Sequence, residues 1–242
     1  VIESVVSGNH AWGYGGGIYS RGTTALVNSA LSGNYAHSGG GLANRGDATL
    51  TGAVVSGNRA GFGGGSGIYN TYFGSLALNN STVAGNSTEE FFSSFRRSGI
   101  LSISDILTLN NTIVALNDFA GSPDVQGAYT GSHNLVGEDP GFVRALSIGD
   151  DGVSDTQDDD PGDLRLVFPT SPAIDAGDNA LLPPDQFDLD HDGNTAEPLP
   201  VDIAGNERVV DGNGDSVAVV DIGALEHVPS PVSFVVNSLA DT

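Results

Sequence analysis

Three glycine runs, at 15–17, 39–41 and 63–65, recur every 24 residues, and each follows a Ser-Gly-Asn triplet ending at Asn9, Asn34 or Asn58. The series continues less strictly at Ala-Gly-Asn86 and Ala-Leu-Asn117. Self-similarity at such a period is the mark of a solenoid, in which each repeat can bury its apolar side only against the next. Aligned on the asparagines, apolar residues fall into columns. Val6, Leu31, Val55, Val83 and Val114 stand three positions earlier; Val1, Leu26, Leu50, Leu78 and Leu109 stand eight earlier; Ile18, Leu42, Ile68 and Ile100 follow the glycines. Small or polar residues alternate with them, the period-two signature of strands with one buried face. Frequent glycine and the absence of lysine disfavour helical repeats. The reading is an all-β, right-handed parallel β-helix of about 24 residues per coil, with three short strands in each coil.

Stacked coils place equivalent side chains about 4.8 Å apart. The column Asn9, Asn34, Asn58, Asn86 and Asn117 therefore predicts a structural asparagine ladder, each amide bonding to that of the next coil. Asn28, Asn80 and Asn111 form a second, broken column. Asn-X-Ser/Thr triplets at Asn79, Asn80, Asn86 and Asn110 match the glycosylation pattern, but they fall on ladder and corner positions and read as corners.

Charge divides the chain. Residues 1–137 hold seven acids and five arginines, whereas 138–228 hold 22 acids and three arginines, within a formal net charge of −22. Such a surface repels nucleic acid and anionic lipid, and neutralisation by bound cations would relieve its self-repulsion. No segment approaches the roughly 18 apolar residues of a membrane span, so no membrane insertion is expected of this chain. With no cysteine, thiolate chemistry and disulfides are excluded. The chain opens with Val1 already in repeat register, the expectation for a mature product or an excerpt of something longer.

The acids are patterned. Asp188, Asp190 and Asp192, followed by Gly193 and Asn194, hold positions 1, 3, 5 and 6 of a calcium loop. Alternate carboxylates turn inward around a hard cation while the glycine permits the sharp bend. Leu199 stands where an EF-hand has its glutamate, so this is no EF-hand; Glu197 is near enough to reach in. Asp211, Asn213 and Asp215 form a second candidate, and Asp151 with Asp155 in an aspartate-rich run a third. Calcium is the expected cofactor. The alternative is that these are solvated acidic turns.

A family resemblance rests on the C-terminal motifs. Asn134-Leu-Val-Gly-Glu-Asp-Pro-Gly-Phe142, Ser171-Pro-Ala-Ile-Asp-Ala-Gly177, Asp202-Ile-Ala-Gly-Asn-Glu-Arg208 and Val220-Asp-Ile-Gly-Ala-Leu-Glu226 follow in order. This succession resembles the closing coils of right-handed β-helix surface proteins of the choice-of-anchor Q type, and the glycine-rich coils are similar to those of polymorphic outer-membrane adhesins. The resemblance implies a secreted or cell-surface bacterial structural module and brings no catalytic residues. Asp175, Asp202 and Asp221 read as turn caps. The expected organisation is coils over 1–137, acidic closing coils over 138–228, and a linker or new strand over 229–242.

Two further functions compete. Polysaccharide-degrading enzymes on a β-helix need paired carboxylates or a base beside bound calcium. Over 1–137 the acids are scattered, only Glu89 and Glu90 being adjacent, and Arg21 and Arg45 read as solvated turn residues; the chain is read as non-enzymatic. Carbohydrate binding fits better, because segments after the asparagine corners carry Trp12, Tyr14, Tyr35, Phe62 and Phe92 along one flank. The alternative is that these loops pack on each other to shield the edge. In the tail, Val232, Phe234 and Val236 predict a strand that either pairs head to tail with another copy, giving a filament, or links to a following module.

Overall fold

The computed structural model describes residues 1–88, 98–117, 123–144, 146–147, 160 and 162–229. It is a parallel β-solenoid. The first sheet stacks Val5–Ser7, Ala30–Ser32, Val54–Ser56, Thr82–Ala84, Ile113–Ala115 and Leu135–Val136. The second holds His10–Tyr14, Tyr35–Ser38, Arg59–Gly64 and Ser87–Thr88; the third holds Ile18–Ser20, Leu42–Asn44, Ile68–Asn70, Ile100–Ser102 and Val125–Gln126. Thr24–Val27, Asp47–Thr51, Ser75–Asn79 and Leu107–Asn110 make the fourth.

Register follows the apolar columns. Val6, Leu31, Val55, Val83, Val114 and Val136 pair in succession. So do Leu26, Leu50, Leu78 and Leu109, and Ile18, Leu42, Ile68, Ile100 and Val125. These side chains form one continuous core. Val1, at the head of its column, is instead exposed.

The first four coils have four strands each where three were expected. The segments after the asparagine corners are themselves a parallel sheet, broken by bulges between Ala60 and Gly64 and between Ala11 and Tyr14. Its inward column is Ala11, Ala36 and Ala60, the last two fully buried. Alanine is too small to mark a hydrophobic column in sequence, and the column continues with a buried threonine, Thr88, which marks none either. Coil length also varies: successive ladder asparagines are 25, 24, 28 and 31 residues apart. One extra residue of the first coil and two of the third are the bulges themselves, within His10–Tyr14 and Arg59–Gly64, where the register shifts before pairing resumes at Tyr14 and Gly64.

The glycine and asparagine columns are one device. A Cβ on Gly41 would lie 3.1 Å from Asn58 Nδ2, and one on Gly99 would lie 2.4 Å from Asn117 Cγ. Glycine at this column makes room for the amide of the adjoining coil.

Beyond residue 137 no further coil is added among the described residues. Phe142–Arg144 pairs antiparallel with Asp163–Leu166, and residues 173–228 run back along the corner between the fourth and first sheets. Ile113, Ala115 and Leu135 pack with Ala173 and Ile222 at one end, and Val27 packs with Leu182, Leu189, Leu199 and Val220 at the other. The second asparagine column is the track for this strap. Asn28, Asn80 and Asn111 all adopt left-handed backbone, at φ 40°, 46° and 46°. Asn111 Nδ2 donates to the Asp178 carbonyl at 3.0 Å and its Oδ1 accepts from Asp178 N at 2.9 Å; Asn28 Nδ2 donates to the Val201 and Asp202 carbonyls.

Candidate functional site

The acidic loop hangs from the strap. Its two limbs are tied by Asp185 N donating to the Glu197 carbonyl at 2.8 Å and Leu199 N to that of Pro183 at 2.7 Å. Burial of Leu189 and Leu199 against Val27 anchors the base of the loop. Asp188, His191 and Gly193 take left-handed backbone (φ 54°, 63° and 87°), which bends the chain back so that its acids face one another. Two triads result, Asp188/Asp190/Asp192 and Asp185/Asp190/Glu197, and within each the carboxylate oxygens lie within 4.8 Å of one another. Three oxygens so spaced can share a centre at roughly the 2.3–2.6 Å of calcium ligation.

Asp190 belongs to both triads. Asp185 is 1% exposed; its oxygens accept from Phe187 N at 3.1 Å and Leu189 N at 2.7 Å, so it is fixed in place. Glu197 Oε1 is shielded from solvent and accepts no hydrogen bond. Desolvation, then the charges of Asp192, Asp190 and Asp185, push the Glu197 carboxyl above its usual range. Asp188 Oδ1 accepts from Gly193 N at 2.9 Å and Asp192 Oδ1 from Asn194 N at 2.7 Å, leaving their second oxygens for another partner. Asn194 turns its own oxygen to Ala196 N at 3.2 Å. Asp185 carries no sequence signal: it lies outside the alternating run and reaches the cluster because the limbs pair.

The other acidic candidates separate. Asp211 is committed to its own turn, Oδ1 accepting from Gly214 and Asp215 amides and Oδ2 from Ser216 N. Asn213 caps Asp215 N and Asp215 caps Val217 N. Among the described residues, acids converge in threes only at the 185–197 loop. Asp151 and Asp155 lie outside the described residues, as do Phe92, Val232, Phe234 and Val236.

Sequence reasoning did not find the buried network that locks the strap. Arg208 and Glu226 form an ion pair of 2.9 Å with side chains 0% and 1% exposed. Arg208 also donates to the Gly223 and Ala224 carbonyls. Glu226 Oε2 accepts from Asp221 N at 2.9 Å, and Asp202 Oδ2 from Glu226 N at 2.9 Å. Asp221 takes the amides of Asp175 at 2.7 Å and His227 at 2.6 Å. Asp202 does cap its own turn, at Ala204 and Asn206, whereas Asp175 reaches across to Gly212 and Asn213. Burial pushes Asp221 up to about 6 and Glu226 up to about 8 against the opposing pull of Arg208.

The asparagine ladder runs through Asn9, Asn34, Asn58, Asn86 and Asn117. The Oδ1 of each of the last four accepts both the main-chain and side-chain N–H of the one before, at 2.8–3.1 Å. Asp124 ends it, its Oδ1 accepting both N–H groups of Asn117 at 2.8 Å. Asn80 and Asn86 are fully buried, which agrees with their reading as corners.

The aromatic flank is divided into local groups. His10 sits 4.6 Å edge-on to Tyr35 and 5.1 Å from Trp12, and Trp12 is 91% exposed. Phe62 lies 5.5 Å from His37. Tyr14 turns to a different set, Tyr19 and Tyr69.

Against known proteins, no protein family, no curated protein and no solved structure matches this chain. No helix among the described residues is long and apolar enough to cross a membrane.

Proposed function

We propose that this chain is a calcium-stabilised structural and adhesive module of a bacterial surface or secreted protein, the role that its resemblance to choice-of-anchor Q β-helix proteins implies. The observation that carries the reading is the pair of acidic triads sharing Asp190, set in the loop that the strap pins against Val27. A calcium ion held by Asp188, Asp190 and Asp192, or by Asp185, Asp190 and Glu197, would neutralise carboxylates that otherwise repel and would tie both limbs of the loop together. An ion that binds only the folded chain stabilises it by mass action. The activity is mechanical and adhesive, not catalytic: the solenoid supplies a long rigid surface and calcium guards its strap.

The test compares thermal melts in chelator and in millimolar calcium, with elemental analysis of the dialysed protein. A melting temperature raised by calcium, and lost in Asp190→Asn with Asp192→Asn, is expected. Superimposable melts with no retained metal would overturn the reading. Carbohydrate binding is favoured as a second activity by the exposed Trp12 beside His10 and Tyr35.

A further inference from the structure

The third sheet carries an outward column of Tyr19, Ala43 and Tyr69 in consecutive coils. The two tyrosines are two strand spacings apart, roughly 10 Å, and Ala43 leaves a notch between them. The ring of Tyr14 fills that notch. Its centroid lies 6.0 Å from Tyr19 at 26° and 6.1 Å from Tyr69 at 16°, so three rings stand nearly parallel. Beside them the third coil is longer at its turn: Gly74 N closes on the Thr71 carbonyl at 2.9 Å, which lifts Tyr72 and Phe73 outward, each 76% exposed. An open groove of about 370 Å³ lies between, lined by Tyr14, Arg45, Tyr69, Tyr72, Phe73 and Ile103.

Two cations converge on the same place. Arg21 Nε and Arg45 Nη1 donate to one hydroxyl, that of Tyr19, at 3.2 and 3.5 Å. The Arg21 guanidinium lies 5.1 Å from the Tyr19 ring and that of Arg45 lies 5.8 Å from the Phe73 ring. In a chain with 30 acids and eight arginines, neither forms an ion pair with an acid among the described residues, whereas Arg144, Arg165 and Arg208 do. Asp47, two residues from Arg45, instead accepts the Ser75 hydroxyl at 2.5 Å. Positive charge is thus held against exposed rings and kept off the abundant carboxylates of this protein.

We propose that this groove binds an acidic oligosaccharide. Sugar rings lay their C–H faces on Tyr72 and Phe73, and a carboxylate or sulfate is taken by the guanidinium groups of Arg45 and Arg21, whose paired N–H groups suit oxyanions. A peptide adding as a strand is disfavoured, because Leu42–Asn44 and Ile68–Asn70 are already paired on both sides. A nucleic acid would meet the repulsion of the −22 charge along its length; a short acidic glycan meets only charges within the screening distance of about 8 Å. The inference rests on the adhesive half of the function proposed above and not on calcium.

The experiment is calorimetric titration of the full chain with four probes of matched length: a uronate oligosaccharide, a sulfated oligosaccharide, a neutral hexose oligomer and an acidic peptide. Binding of the uronate or the sulfated probe, weakened about tenfold or more in Arg21→Ser/Arg45→Ser and in Tyr72→Ala/Phe73→Ala, is expected. These positions are at the surface, so the variants should melt with the parent. Asp190→Asn/Asp192→Asn should bind the glycan as the parent does, which separates this site from the calcium loop. No binding of either acidic glycan, equal binding of the neutral oligomer or the peptide, or unchanged affinity in both groove variants would overturn the proposal. A parent chain that calcium does not stabilise but that still binds the glycan would overturn the metal reading alone.

Discussion

Asn58→Asp places a carboxylate in the middle of the ladder, and the structure sets its cost. Asn58 is fully buried. Its Oδ1 accepts the two N–H groups of Asn34, which aspartate can still do. Its Nδ2, however, donates to Asn86 Oδ1 at 2.9 Å, Leu31 O at 2.8 Å and Ser56 O at 3.1 Å. An ionised aspartate would face three acceptors without a donor. Keeping it neutral at pH 7, against an ordinary pKa near 3.9, costs about 4 kcal/mol. A neutral carboxyl offers one hydrogen where the amide served three acceptors, adding about 1–2 kcal/mol. Because the folded pKa is raised, the deficit is present at neutral pH and shrinks as pH falls towards about 4. Asp124→Asn is the mirror image. Among the described residues Asp124 only accepts, through one oxygen, and desolvation already holds its carboxyl above the usual range; the amide should cost less than about 1 kcal/mol. Urea unfolding followed by circular dichroism, at pH 7 and pH 4.5, measures both. An Asn58→Asp chain as stable as the parent at pH 7, or an Asp124→Asn chain equally weakened, would refute the ladder as a one-way chain of donors ending in an acceptor.

Three other outcomes follow from the same geometry. Leu50→Ala, between Leu26 and Leu78 in the fully buried column, should cost about 3 kcal/mol in chemical denaturation. Asp221, pushed up to about 6 by burial, binds its proton more tightly in the folded chain; its contribution is complete below about pH 4 and is lost as pH rises through 6. The melting temperature should therefore fall between about pH 4 and pH 7, and Asp221→Asn should flatten that slope. Asp185→Asn should weaken calcium affinity as strongly as Asp190→Asn if the Asp185/Asp190/Glu197 triad holds the ion, and hardly at all if Asp188/Asp190/Asp192 does; competition with a chromogenic chelator distinguishes the two.

What was legible in sequence is what stacking repeats. The Leu26, Val6 and Ile18 columns, and the asparagine ladder, align because every coil solves the same packing problem with the same residue. The second sheet escaped because its inward residues, Ala36 and Ala60, are small and its aromatics point outward. The strap escaped because its contacts occur once: Asn111 with Asp178, Asn28 with Val201, Arg208 with Glu226. No periodicity announces a contact that has no copy. Asp188, Asp190 and Asp192 were visible as a local alternation, whereas Asp185 enters their cluster through the pairing of two loop limbs, which is tertiary information. Likewise the groove at Tyr14 needs Ala43 to be small in one coil and the turn at 71–74 to be long in the next.

The most direct measurement is amide hydrogen exchange along the strap, with and without calcium. The account predicts that the amides of Ala224 and Glu226, which donate to Thr82 Oγ1 and Asp202 Oδ2, exchange as slowly as the coil core in both conditions. Amides of the 185–197 loop, such as Leu189 and Gly193, should be protected further only when calcium is present. Fast exchange at Ala224 and Glu226 would contradict the strap, and loop protection indifferent to calcium would contradict the metal-held module.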